Sequence, residues 1–265
     1  MPAPPAPSFA ASVGTIIQLT LVRLVRGRKL RLALLATGLV VIAAISARYA
    51  VGENATVTPN DLVEGAVRLG FFDLLVYLVP YLFAAGALSE EAESRTLPYL
   101  LMRPIGRTAL ALGKWLAASV TSAVVLAAGA LVVHVGAWAT DPGNMIDEIG
   151  PTLEIIGALC LLSFFYSALC LFFGALVIEA GGLLSIVYMA FMEFFVGSVP
   201  AVARYSSMNY LATQLAGLPK GGLLPEYAPD VETWVAAVVI TVLTAIFLGL
   251  AVLVTNVSEF GFGKA

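Results

Sequence analysis

Residues 115–140 read WLAASVTSAVVLAAGALVVHVGAWAT, a run with no Asp, Glu, Lys or Arg. A helix of roughly 20 residues crosses the hydrocarbon core of a bilayer, so this run is long enough to span one. Its single ionisable side chain is His134, and its Gly129 and Gly136 fall on one helical face. Small residues in that arrangement let two membrane helices approach closely. The rest of the 265-residue chain is built alike, 60% hydrophobic and 12% charged. That composition excludes an ordinary water-soluble enzyme and defines an integral membrane protein.

Working outward from this run, five further spans are expected: about 32–47 between Arg31 and Arg48, 71–88 with Pro80 inside it, 155–178 between Glu154 and Glu179, 183–202 after a short AGG link, and 233–256. Residues 1–11 form a flexible, proline-rich lead-in. In 12–30, Val13, Ile17, Leu21 and Leu24 repeat at helical spacing while Gln18, Arg23, Arg26 and Arg28 supply polar positions. This pattern predicts a helix lying in the membrane interface, or an inward extension of the first span. Between spans five and six, ARYSSMNYLATQLAGL (203–218) alternates polar and apolar residues at helical spacing. It reads as an external helix, either dipping back into the outer leaflet or lying on the surface. The expected fold is therefore an all-α integral membrane domain of six transmembrane helices over 31–265, preceded by an interfacial helix.

Basic residues favour cytoplasmic segments. With the N-terminus inside, ten Lys and Arg residues fall on the cytoplasmic side and four (Arg48, Arg68, Arg204 and Lys220) outside. Both termini are thus expected in the cytoplasm. No basic block suggests nucleic acid. Cys160 and Cys170, ten residues apart in one run, are too distant along a helix for a disulfide.

On this topology one long cytoplasmic connection remains, EEAESRTLPYLLMRPIGRTALALGKW, residues 90–115. After the acidic start, Thr96 suits a helix cap and Pro98 a first turn; Leu97, Leu100 and Leu101 share a face, and Pro104 ends the helix. A two-turn helix presenting leucines and Met102 between Arg103 and Arg107 is a shape made to fit a pocket on another protein. The segment resembles the signature of ABC-2 type transporter permeases. The matching positions are Glu91, Glu93, Thr96, Leu97, Leu100, Leu101, Arg103, Pro104, Arg107, Gly113 and Lys114; Arg95 stands where that family usually has glycine, and Pro98 is an unusual neighbour.

The resemblance implies a membrane-spanning permease subunit of an ATP-driven transporter, most often an exporter, in the cell membrane. It pairs with a second permease, identical or different, and with two cytoplasmic ATPase subunits. Residues 94–104 would be the coupling helix that docks into the ATPase. ATP and Mg would bind in that partner, leaving this chain without a cofactor and without catalytic residues. The residues themselves agree that the motor lies elsewhere. GRTALALGK has six residues between Gly106 and Gly113 where a phosphate-binding loop has four, and Trp115 replaces the Ser/Thr that follows the lysine.

Inside the membrane, Glu193 sits in YMAFMEFFVG with no basic residue a helical turn away. A carboxylate there must be paired, protonated or facing water, so it is either a substrate contact or a structural hydrogen-bond acceptor. Asp73 enters span two near its outer end, and with Tyr188 completes a candidate substrate path, since by the resemblance spans two and five border it. His134 is the only histidine, and no set of ligands with metal spacing accompanies it. The alternative to an ATP-driven permease is an ion-coupled carrier or channel without an ATPase, which calls for several deep charges or an inverted repeat.

Overall fold

The computed structural model describes residues 8–51, 58–87, 106–139, 142–199, 202–219 and 231–257. The expected coupling helix, with Glu91, Glu93, Arg95, Thr96, Leu97, Leu100, Leu101, Met102, Arg103 and Pro104, lies outside them. Among the described residues every regular element is helical.

Ser8 opens α1 (Phe9–Arg26), its hydroxyl accepting from the Ala11 N–H at 3.3 Å. Gly27, in extended backbone, breaks the helix and starts α2 (Arg28–Val51). Thr58 and Asp61 form a reciprocal capping box that begins α3 (Pro59–Ala66). The chain continues without a break through a π-helical segment, Val67–Leu75, into α4 (Val76–Ala84), which holds Pro80. Two long helices follow, α5 (Arg107–Ala137) and α6 (Ile149–Leu176). α7 (Gly181–Met189) passes into a second π-helical segment, Ala190–Phe195, and a 3-10 turn, Val196–Ser198. A further 3-10 turn, Val202–Ser206, precedes α8 (Met208–Leu215), and α9 (Thr233–Val257) closes the described chain.

The core is built on α5 and α6, which pack on each other; α6 also meets α4, α7, α8 and α9, while α5 receives α1 and α2. In their most apolar stretches 56% of α5 and 67% of α6 residues are buried, against 11% in α2 and 17% in α9. The outer helices turn Leu35, Leu39 and Ile42 or Val238, Val242 and Leu253 away from the protein. In water such surfaces would drive aggregation; against lipid tails they are the matched face. The glycine face of α5 meets α2 as its pattern implies: a Cβ at Gly129 would fall 2.5 Å from Thr37 Cγ2, and one at Gly136 2.6 Å from Ile45 Cγ1.

Among the described residues five helices, α1, α2, α5, α6 and α9, are long and apolar enough to cross a membrane by length and composition. The spans expected at 71–88 and 183–202 are helical but assembled from pieces. The former reaches back to Pro59 through its π segment, and the latter is helical over Gly181–Phe195, only 15 residues, before 3-10 turns. Likewise α5 begins at Arg107, eight residues before the uncharged run. Hydropathy stops at Lys114, whereas helical hydrogen bonding does not depend on side-chain charge.

Candidate functional site

Glu193 lies in the second π segment, and its buried carboxylate accepts four hydrogen bonds. Tyr166 Oη, from α6, donates to Oε1 at 2.7 Å and Ser207 Oγ to Oε2 at 2.5 Å. The backbone N–H groups of Met208 and Asn209 donate at 3.2 and 3.3 Å. Met208 and Asn209 form the first turn of α8, whose N–H groups lack intrahelical partners and whose dipole favours a negative charge. Ser207 is the cap of that helix, its hydroxyl also accepting from the Tyr210 N–H at 3.1 Å. A π segment adds a residue to a turn and so re-aims the side chains around it; here it carries the glutamate that joins the α7 extension, α8 and α6.

Asp73 lies in the other π segment, and the two carboxylates share a cavity of about 270 Å³ with Arg68, Tyr77, Asn209 and Tyr210. Asn209 Oδ1 is buried there without a hydrogen-bond partner. Arg68 borders the same cavity and donates to the Pro219 carbonyl just beyond α8. The C-terminal turn of α8 is made by Gly217 at φ 66°, the left-handed region that favours glycine, with the Leu218 N–H bonded to the Thr213 carbonyl at 3.0 Å. Tyr77 packs edge-on to Tyr166, with centroids 5.1 Å apart. Asp73, Tyr77 and Phe194 also border a second, apolar cleft of about 250 Å³ between α4 and α7, with Leu78, Tyr81 and Ile186. A polar chamber therefore adjoins an apolar groove.

At the opposite end, the described residues on either side of the 88–105 segment are tied down. Lys114, buried in α5, donates to the carbonyl of Ala87, the last described residue before the segment. Arg107, the first residue of α5, donates through Nη1 to the Asn256 carbonyl in the last turn of α9 at 3.0 Å, and Asn256 Nδ2 donates to Thr108 Oγ1 at 3.2 Å. From Arg107 onward GRTALALGK is continuous helix, so its glycine and lysine form no phosphate-cradling loop.

A family model described as ABC-2 family transporter protein matches residues 15–260. The chain belongs to the ABC-2 transporter family. It is a multi-pass membrane permease of an ABC transporter, a transmembrane subunit that is not itself catalytic. No curated protein matches it.

Of the three path residues expected in this ABC-2 permease, Asp73 and Glu193 come together, while Tyr188 does not line the cavity. The Tyr188 ring packs against Phe173 and Phe247 at centroid distances of 5.6 and 6.0 Å. His134 holds the α5–α6 connection: one ring nitrogen pairs with Thr152 Oγ1 at 2.8 Å and the other with the Met145 carbonyl at 3.1 Å. Sequence reasoning missed Tyr166, Ser207 and Asn209; the local signal for the last two is the Ser-x-x-Tyr start of α8, and Tyr166 lies within the long helix α6. Arg204, counted among the external charges, has a fully buried side chain with its guanidinium 5.4 Å from the Tyr210 ring centroid.

Proposed function

We propose that this permease is the membrane half of an ATP-driven exporter in the cell membrane, with both termini cytoplasmic and α1 lying at the inner interface. Two permeases, the same or different, pair over two cytoplasmic ATPase subunits that dock on the coupling helix expected at 94–104, within the 88–105 segment. The observation that carries this reading is the anchorage of the residues on either side of that segment. A push on it reaches α5 through Lys114 and α9 through Arg107 and Asn256. Cargo moves along the chamber and groove that Asp73 and Glu193 border, a polar space beside an apolar one that suits an amphipathic molecule.

Co-expression of the permease with candidate ABC ATPases tests the assignment: a stable complex whose ATP turnover responds to the permease is expected. Leu100→Asp and Leu101→Asp are expected to disconnect turnover from transport. Normal assembly and transport in both variants would sink the docking assignment. Cysteine labelling at positions 26 and 146 from each side of the membrane reads the orientation, with position 26 expected inside.

A further inference from the structure

Among the described residues, Arg204 is the charged side chain that is fully buried with no hydrogen-bond partner: its Nε, Nη1 and Nη2 all lack an acceptor. The Tyr210 ring, with its centroid 5.4 Å from the guanidinium carbon, attracts the charge. A ring offers no lone pair, so the N–H donors stay unsatisfied. An unpaired buried cation is strongly destabilising, and in a native fold it calls for a partner. The turn Val202–Ser206 holds Arg204 in this place, its carbonyl accepting from the Ser207 N–H at 3.0 Å directly before the cap of α8. Tyr210 also lines the polar chamber of about 270 Å³, whose two carboxylates are already matched. Glu193 accepts from Tyr166, Ser207, Met208 and Asn209, and Asp73 is met by the Arg68 charge and the Asn209 side chain. The unmatched charge beside the chamber is therefore positive.

We propose that Arg204 binds the oxyanion head, a carboxylate or phosphate, of an acidic amphiphile that enters through this chamber, the Tyr210 side chain turning aside to admit it. A planar guanidinium presents paired N–H groups that match carboxylate or phosphate oxygens. Tyr77 and Phe194 border both the chamber and the apolar groove, which takes the attached chain. The inference rests on the cargo path proposed above and deepens it, giving the head of the amphiphile a negative sign.

The test uses the purified full-length permease in neutral detergent, without ATPase, and follows binding of radiolabelled dodecyl phosphate. Unlabelled dodecyl phosphate and dodecanoate are expected to compete, and dodecanol and dodecyltrimethylammonium are not. Arg204→Met is expected to weaken binding about 10- to 100-fold, the worth of hydrogen bonds to a charged group, and Arg204→Lys by less. Without ligand, Arg204→Met is expected to melt at or above the wild type, because it removes an unpaired buried charge. Asp73→Asn takes one negative charge from the chamber and is expected to tighten binding severalfold, a readout independent of how the Arg204 variants fold. Absent binding of dodecyl phosphate, or unchanged binding in Arg204→Met, overturns the proposal. So does equal competition by dodecyltrimethylammonium with weaker binding in Asp73→Asn, which gives the head a positive sign. Competition by inorganic phosphate or acetate as strong as by dodecyl phosphate assigns Arg204 to a free anion and overturns it too. A large drop in the ligand-free melting temperature of Arg204→Met shows that the guanidinium is already paired within the chain, with the same consequence. Failure to capture an ATPase leaves this site standing, and loss of the site leaves the exporter reading with a cargo head of another sign.

Discussion

Ser207 Oγ donates to Glu193 Oε2 at 2.5 Å while accepting from the Tyr210 N–H, so one hydroxyl both caps α8 and fastens it to the α7 extension. Ser207→Ala removes both bonds. Loss of a helix cap costs about 0.5–2 kcal/mol, and the variant is expected to melt lower and to expose α8 to protease in detergent.

Glu193→Gln tests the same joint from the other side. The two carboxylate oxygens face donors only, and an amide NH₂ in place of one oxygen points a donor at a backbone N–H. Leaving such a buried group unsatisfied costs about 1–3 kcal/mol. Reduced thermal stability together with reduced transport is expected. A variant with wild-type melting and wild-type transport at every pH assayed would remove the case for the carboxylate.

The glycine face of α5 is open to a packing test. A side chain at Gly129 meets Thr37 and Phe71, and one at Gly136 meets Ile45. Overpacking of a filled interface costs about 1–3 kcal/mol, so Gly129→Val and Gly136→Val are expected to lower the melting temperature. Val124→Ala, on an exposed position of the same helix, is expected to have little effect.

Hydrogen bonds from Thr58 hold the Asp61 carboxyl below its ordinary value of 3.8. A folded-state value below the unfolded one means that the ionised carboxylate stabilises the α3 cap. That contribution is complete above the ordinary aspartate range and is lost as the pH falls through the depressed folded value. Protection of the first-turn amides of α3, measured relative to their intrinsic exchange rates, is expected to fall below about pH 4, the ordinary aspartate range, and Asp61→Asn is expected to abolish that dependence.

Arg107→Ala should weaken the link between the 88–105 segment and α9 while sparing the Lys114 contact. The expected signature is ATP turnover in the complex that remains, with less cargo moved per ATP. An unchanged ratio would place the stroke on α5 alone.

How much of this was legible beforehand follows from the range of each interaction. The span in 115–140, the helix after Ser207 and the close approach at Gly129 and Gly136 could all be read from the sequence. Length, apolarity and periodicity are properties of neighbouring residues. The helices themselves begin earlier than the expected spans, at Arg107 and Pro59, because hydropathy marks the membrane and not the helix.

The sequence alone determined that this chain lives in a bilayer as a bundle of helices, because its backbone must satisfy its hydrogen bonds without water and its uncharged runs have the length of a spanning helix, not of a barrel strand. Only the tertiary structure decided what Glu193 does. Its hydroxyl donors lie 27 and 14 residues away, on separate helices, and two π segments turn it and Asp73 toward one cavity. A hydrogen bond needs its partners within about 3 Å, a condition set by how helices pack and not by the order of residues along them.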